Sequence, residues 1–332
     1  MKNTVAIDLG SSKTAIYKAG EDIVLYEPTV IALERGEKRR VKEVGVDAKR
    51  LIGRASDSTE VISPVFEGEV NNSEALTGLL EQFLNRITLR KLSARPRVIL
   101  NVPCGADLTT IRKYESVLNA CDVTDYSFVE SLVLTNLGLD LQMSMTPNFI
   151  VDIGGGITEI GAVSADGVIC GVSVNMGGLS VDTMLQTYIE EAFGLKIGKL
   201  TAEKVKLTIG SLLNMDNLSM VVNGGDVASG RPRAISISSQ DIYQPIKVFY
   251  DKVFEIVQMV MAKLPAEVLA DIRRSGVNFS GGGSKIVGLE DYFRNQMGMR
   301  ANIFDKAEVA VSLGGGKLAF DKKLLEKFEI RR

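Results

Sequence analysis

Histidine is missing from all 332 positions of the chain. That absence excludes Ser-His-Asp hydrolysis, Cys-His proteolysis, histidine-ligated zinc and histidine phosphorelay. Any catalysis must run on carboxylates, lysines, hydroxyls, backbone amides and a bound metal. Cysteine is scarce: Cys104, Cys121 and Cys170 are scattered, odd in number and without paired metal spacing. They read as buried, reduced thiols of a cytoplasmic protein. No apolar run approaches the roughly 20 residues that span a bilayer. The start, Met1 to Thr4, enters a strand at once, so no signal peptide is expected. Net charge is also small, −2 from 39 basic and 41 acidic residues, so no direct nucleic-acid partner is expected.

What is present is the composition of an ordinary soluble globular protein, 45% hydrophobic and 24% charged, long enough for two domains with real cores. The stretch Phe149 to Ile160 organises the rest. Phe149, Ile150, Val151 and Ile153 around Asp152 read as a buried strand, and Gly154, Gly155 and Gly156 force a tight turn at its end. Alternation resuming at Ile160, Ala162 and Val163 makes the unit a β-hairpin with a glycine tip. Such a tip exposes backbone N–H groups that suit a phosphate or other anion. Asp152 would hold a cation beside that anion, directly or through water.

The chain says this twice. Ile7, Asp8, Leu9, Gly10, Thr14 and Ile16 fall on Val151, Asp152, Ile153, Gly154, Thr158 and Ile160 at a constant offset, 152 − 8 = 144. A repeat of that length is a duplicated domain, not a solenoid. Two such hairpins facing one another would clamp a polyphosphate.

Between and beyond them the chain alternates strands and helices. Strands are expected at Ile23 to Leu25 and Thr29 to Leu33, broken at Glu27-Pro28, and a short helix at Ala48 to Ile52. Leu76, Leu79, Leu80, Phe83, Leu84 and Ile87 mark a helix over Ser73 to Leu89, with Ser73 as N-cap. Arg86, Arg90, Lys91, Arg95 and Arg97 make a basic linker around Leu89 and Leu92, either a solvated loop or a patch for anionic lipid or a partner. A strand over Val98 to Val102 precedes a helix from Leu108 to Ala120, and the strand from Tyr126 ends on Glu130, ahead of a helix through Leu139. Glu130 is placed either to reach a cleft or to serve as a helix N-terminal charge.

In the second half, helices are expected at Ser180 to Phe193, at Lys199 to Leu213 with Thr201 as cap, and at Ile242 to Leu264. Glu203 and Lys206, three apart, share a helix face, as a functional pair or a solvated ion pair. Gly224 to Pro232 reads as a loop. The strand at Val277 to Ser280 runs into Gly281, Gly282, Gly283, Ser284 and Lys285, a third glycine tip that would let a flat ring approach the backbone. A last glycine run, Gly314 to Gly316, opens the final helix.

This combination resembles the actin-like ATPases, which share a fold with heat-shock chaperones and sugar kinases, and most of all the MreB family of bacterial actins. The likeness runs over nearly the whole chain, including Val44 to Arg50, Pro96 to Val98, Ile153 to Glu159 and Thr201 to Glu203. It implies an α/β, actin-like ATPase fold, two duplicated ribonuclease H-like domains around a nucleotide cleft. The first would cover 1–145 with a small insertion at about 30–95, the second 146–332 with one at about 180–245. The C-terminal helix is a candidate to return to the first domain.

The resemblance implies ATP and Mg²⁺ as cofactors. Gly10, Ser11, Ser12 and Lys13 would wrap one side of the phosphates, and Gly154, Gly155, Gly156 and Ile157 the other. Asp8 and Asp152 would organise Mg²⁺, largely through its waters, and Glu130 would position the attacking water. Glu203 and Lys206 would contact the adenosine, with Gly281, Gly282, Gly283 and Ser284 along its base and ribose. Phosphoryl transfer to water needs charge neutralisation and a held nucleophile more than a strong base, so the missing histidine is no obstacle.

Three departures from the family pattern stand out. Ser131 follows Glu130 where the family usually has Pro, Leu132 to Asn136 lacks the family's small-residue run, and Lys13 adds a charge beside the phosphates. Where MreB proteins often carry an apolar membrane-binding pair, this chain has Leu92-Ser93-Ala94, so membrane attachment stays open. The expected function is a cytoplasmic, ATP-binding bacterial actin that hydrolyses ATP and associates with itself head to tail in a filament. Its expected role is cell shape, with membrane or membrane-protein partners open. The alternatives are a specialised actin for organelle positioning or DNA segregation, or a non-polymerising, chaperone-like ATPase. No substrate-binding domain is expected after the final helix, and no sugar-kinase base or sugar pocket is evident.

Overall fold

The computed structural model describes residues 3–36, 39–88 and 95–330. The Leu92-Ser93-Ala94 segment, with Leu89, Arg90 and Lys91 of the basic linker, lies outside the described residues. Two five-stranded sheets carry the fold, and they repeat one another strand for strand. The first is built from β1 (Thr4–Leu9), β2 (Lys13–Lys18), β3 (Asp22–Pro28), β4 (Arg97–Val102) and β5 (Tyr126–Glu130), in the order β5-β4-β1-β2-β3. The second uses β6 (Asn148–Ile153), β7 (Thr158–Ser164), β8 (Gly167–Val174), β9 (Val277–Ser280) and β10 (Ala301–Ile303), in the order β8-β7-β6-β9-β10.

Each sheet has three antiparallel strands and then two parallel ones. The parallel pairs need long crossovers, and these supply the helices that cover the sheets. The register repeats as well. Ile7 lies opposite Ile16 and Val151 opposite Ile160, while Asp8 lies opposite Ala15 and Asp152 opposite Glu159. A third sheet (Ile31–Glu34, Val41–Val44, Thr59–Ile62) belongs to the first half, and a fourth (Leu195–Lys196, Ser219–Asp226, Pro232–Ser238) to the second.

Each half buries its own apolar cluster, the first around Leu76, Leu80, Phe83 and Phe128, the second around Phe254, Phe279 and Phe293. A further cluster joins the halves, where Ala6, Ile99 and Val129 of the first sheet meet Ile150 and Val163 of the second. Two helices sit at that joint, Ser131–Gly138 and Ala310–Leu318. Their contact explains the last glycine run, which lies inside the second helix and not ahead of it. A Cβ on Gly314 would stand 1.9 Å from the Leu134 carbonyl oxygen, and one on Gly138 would stand 1.8 Å from that of Ala310. Glycine on both faces lets the two backbones touch. The same helix lies on β1 and β2, and Ile330 near the C-terminus donates its N–H to the Phe128 carbonyl at 2.9 Å.

Several elements differ from the sequence reading. Strand β7 is buried along its whole length, because helices cover it on both faces, so it does not alternate. Glu27 and Pro28 continue β3 at the sheet edge, where a missing N–H costs nothing. The first long helix is Ser73–Ile87 with Asn72, not Ser73, as its cap; the Asn72 side chain accepts the Ala75 N–H at 2.9 Å. The helix Lys199–Ile209 starts from Gly198, three residues before Thr201. Gly224 to Asp226 end a strand instead of opening a loop, and Ala266–Ser275 forms a helix the periodicity did not mark. Cys121 is buried, Cys104 and Cys170 are half-buried, and all three are free thiols. No helix among the described residues is long and apolar enough to cross a membrane.

Candidate functional site

A cavity of about 420 Å³ opens between the two sheets, with the hairpin turns β1–β2 and β6–β7 on its floor. Both turns close with the same bond: Gly10 N–H donates to the Lys13 carbonyl at 3.1 Å, and Gly154 N–H to that of Ile157 at 2.9 Å. The two tips meet. A Cβ on Gly155 would lie 2.4 Å from the Ser12 Cβ, and one on Gly156 would lie 2.3 Å from the Ser11 Oγ. Among the described residues, the N–H groups of Ser11, Ser12, Gly155 and Gly156 find no acceptor in the chain. They are what a bound anion would use. Carbonyls of the second turn are spoken for: Gly178 and Leu179, at the start of the helix Gly178–Phe193, donate to those of Gly154 and Gly155 at 2.9 and 2.8 Å.

Behind the tips stand the two strand-end carboxylates. Asp152 is 9% exposed and accepts the Thr135 hydroxyl at 2.9 Å. Burial pushes its carboxyl up to about 6, against hydrogen bonds from Thr135 and Ser280. Burial, and then the charge of Asp152, push Asp8 up to about 7. Two buried carboxylates beside an anion cradle, the charge of Asp152 raising the proton affinity of Asp8, make a donor set that a hard cation would fit. Among the described residues no cluster of three or more carboxylate, Cys or His groups could cage a metal alone. Mg²⁺ held mainly through water and phosphate oxygens fits this arrangement.

Of the residues singled out in sequence, Asp8, Asp152, Gly10 to Lys13, Gly154 to Ile157, Glu203, Lys206 and Gly281 to Gly283 all line the cavity. Two do not. Ser284 is 1% exposed and donates its hydroxyl back to the Gly281 carbonyl, so Lys285, Ile286 and Val287 line the wall in its place. Glu130 ends β5 as expected, yet it stands outside the lining and accepts the Gly105 N–H at 3.0 Å.

Glu203 and Lys206 do not pair with each other. Lys206 donates to the Gly178 carbonyl at 2.7 Å and pairs with Asp182 at 2.7 Å, while Glu203 is held by Lys49 at 2.6 Å. Lys13 lies over the Tyr26 ring, 4.2 Å from its centre, and burial together with Lys49 holds its ammonium below the usual lysine range.

The sequence reading missed four groups here: Lys49, Asn101, Asp182 and Glu159. Asn101 Oδ1 accepts the Leu9 N–H at 2.9 Å and its amide reaches Ser131 at 3.2 Å. Glu159 is 5% exposed, and burial pushes its carboxyl up to about 8 although the Cys104 N–H donates to it. One signal was available: Glu159 is the duplicate of Ala15, a charged residue where the other repeat has a methyl group.

A sequence model of the MreB/Mbl protein family matches residues 2–327. The cell shape-determining protein MreB of Escherichia coli (strain K12) is 30% identical over 321 residues, 95% of this chain and 92% of that protein. Among solved structures, MreB 5 of Spiroplasma citri bound to AMPPNP superposes with a TM-score of 0.91 at 25% identity, covering 97% of this chain and 98% of that one. A MamK double helical filament shares the fold, with a TM-score of 0.77 at 19% identity over 96% of this chain and 99% of the other. With the family model spanning nearly its whole length, this chain belongs to the MreB/Mbl family.

Proposed function

We propose that this chain is an actin-like cytoskeletal ATPase that binds ATP·Mg²⁺ in the cleft and assembles head to tail into filaments. Its proposed role is the determination of cell shape. The observation that carries the reading is the meeting of the two hairpin tips in front of Asp8 and Asp152. Free N–H groups of Ser11, Ser12, Gly155 and Gly156 would take the phosphates, and Asp8 and Asp152 would orient the waters of Mg²⁺. When bound, Mg²⁺ supplies charge neutralisation for phosphoryl transfer. Glu203 and Lys206, on the second half's wall, would face the ribose and base, with Gly281 to Gly283 backing the ring. Glu130, outside the cavity's lining in this structure, is assigned to orienting the attacking water, as its place in the family pattern suggests.

The relatives support the same reading. The Spiroplasma protein was solved with an ATP analogue, and the E. coli relative is named for cell shape. A heterologous, non-closing contact between identical copies gives an open filament.

The test is pelleting and negative-stain microscopy with Mg²⁺-ATP, Mg²⁺-ADP or no nucleotide. Filaments that need ATP are the expected result. A protein that binds ATP and stays in the supernatant across concentration and salt is instead a nucleotide-switched, non-polymerising ATPase. Asp152→Ala is expected to lose Mg²⁺-dependent nucleotide binding or turnover.

A further inference from the structure

We propose that Glu159 is a second catalytic carboxylate for ATP hydrolysis, contacting the attacking water from the cleft floor, and that the Cys104–Gly105 turn yokes it to Glu130. The proposal rests on the ATPase reading above and assigns a residue that reading does not use. Glu159 lines the cavity, and Glu130 does not. On the β6–β7 ladder Glu159 lies directly opposite Asp152, so it borders the phosphate end and not the base end.

Its cost argues for a use. A carboxylate buried near the start of a strand is unfavourable unless paired, and among the described residues no Lys or Arg forms an ion pair with Glu159. The duplicated position in the first half, Ala15, shows that the fold itself asks only for a small apolar residue there.

The carboxylate is also held in place. Its Oε1 accepts the Cys104 N–H at 2.6 Å, a bond from the second half's sheet to a turn of the first. The Ser131 hydroxyl stands beside it but gives its one proton to the Val102 carbonyl at 3.0 Å. The next N–H on that turn, Gly105, goes to Glu130 at 3.0 Å, and the Cys104 thiol bonds to Glu130 as well. One turn is therefore gripped by two glutamates, one from each half of the molecule.

In the step assigned to this site, the water oxygen forms a bond to the γ-phosphorus. The bond from that phosphorus to the β,γ-bridging oxygen breaks, and its electron pair leaves with ADP. Of the two water protons, one stays on inorganic phosphate and the other passes through the carboxylate to solvent. Glu159 orients the water by accepting a hydrogen bond from it; little basicity is required.

The test compares Glu159→Gln, Glu130→Gln and the double variant with the parent, using Mg²⁺-ATP. Binding is read with a fluorescent ATP analogue and hydrolysis by single turnover. Glu159→Gln is expected to keep nucleotide affinity within about threefold and to slow hydrolysis by at least about 30-fold, the scale of a lost orienting group. Because both glutamates hold one turn, the double variant is expected to be about as slow as the slower single, far from the product of the two effects. Hydrolysis by Glu159→Gln within about threefold of the parent overturns the proposal, as does a parallel loss of affinity and rate, which marks a structural role. If that variant does not fold, Glu159→Asp decides, because it keeps the charge and draws the carboxylate back from the water: at least about tenfold slower hydrolysis at unchanged affinity supports the proposal, and an unchanged rate overturns it. A parent that binds ATP and never hydrolyses it overturns the ATPase reading together with this one.

Discussion

Lys49 and Glu203 lie 154 residues apart in the chain and form an ion pair 2.6 Å long that joins the two halves beside the cavity that Glu203 lines. Lys49 comes from the short helix Gly45–Arg50 of the first half, and Glu203 from the helix Lys199–Ile209 of the second. Both side chains are partly shielded, at 27% and 21% exposure. The bond thus ties the two halves together beside the cavity.

From this follows the first prediction. In the nucleotide-free protein, a double-mutant cycle of Lys49→Met and Glu203→Gln by denaturant unfolding should give a coupling on the order of 1 kcal/mol, the upper range for a partly exposed pair. Lys49→Met should also speed release of a fluorescent ADP analogue several-fold in stopped flow, because the two halves lose a tie beside the cavity. An unchanged release rate means the pair does not gate the cleft.

The second prediction concerns the meeting of the two tips. Gly155→Val puts atoms where Ser12 already stands, since even a Cβ would come within 2.4 Å. The loops must part, and N–H groups that converge on one anion no longer do. Nucleotide affinity should fall by at least about tenfold, equivalent to about 1.4 kcal/mol, as measured by equilibrium titration with the fluorescent analogue. Wild-type affinity in this variant would mean that the tips do not form the phosphate site.

Much of this site could be read from residues alone, for a physical reason. The duplicated pattern around Asp8 and Asp152 is local: strand, carboxylate, tight turn, strand. Local chemistry survives in the sequence, and so do the periodic helix at Leu76 to Ile87 and the strand that ends on Glu130. Contacts between distant segments do not leave such a trace. Nothing near Lys49 announces Glu203, and nothing near Cys104 announces Glu159. The cap on the first long helix moved from Ser73 to Asn72 because neighbouring residues with similar side chains compete for one N–H. The final glycine run misled because glycine serves turns and close helix contacts alike, and only the packed partner tells them apart.

That close contact gives the third prediction. In Gly314→Ala the new methyl group would overlap the Leu134 carbonyl at 1.9 Å, which is backbone and cannot rotate away. The helices at the joint between the halves must separate, and stability should drop by about 2–3 kcal/mol, as for other overpacked sites. Gly225→Ala, where a Cβ meets nothing within 4 Å, is the control and should change stability by less than about 0.5 kcal/mol. Equal effects in the two variants, by urea unfolding, would remove the argument from packing.

The fourth prediction is a pH dependence. Asp8, Asp152 and Glu159 have ordinary values of 3.8, 3.8 and 4.5, and the fold pushes them up to about 7, 6 and 8. Each folded-state value lies above its unfolded one, so between those limits the native state holds more protons than the unfolded chain. Stability from these groups is therefore greatest at the acid end of that window and declines as pH rises through 6 to 8. The protein freed of metal and nucleotide should melt at a lower temperature at pH 8 than at pH 6. Asp8→Asn, which removes one of the crowded charges, should narrow that gap. Mg²⁺ with nucleotide should narrow it too, because a bound cation favours the ionised carboxylates and ligand binding stabilises the fold. A melting temperature that rises from pH 6 to pH 8 in the stripped protein, or an Asp8→Asn variant with the parent's slope, would show that these carboxylates are not crowded in the way the cleft places them.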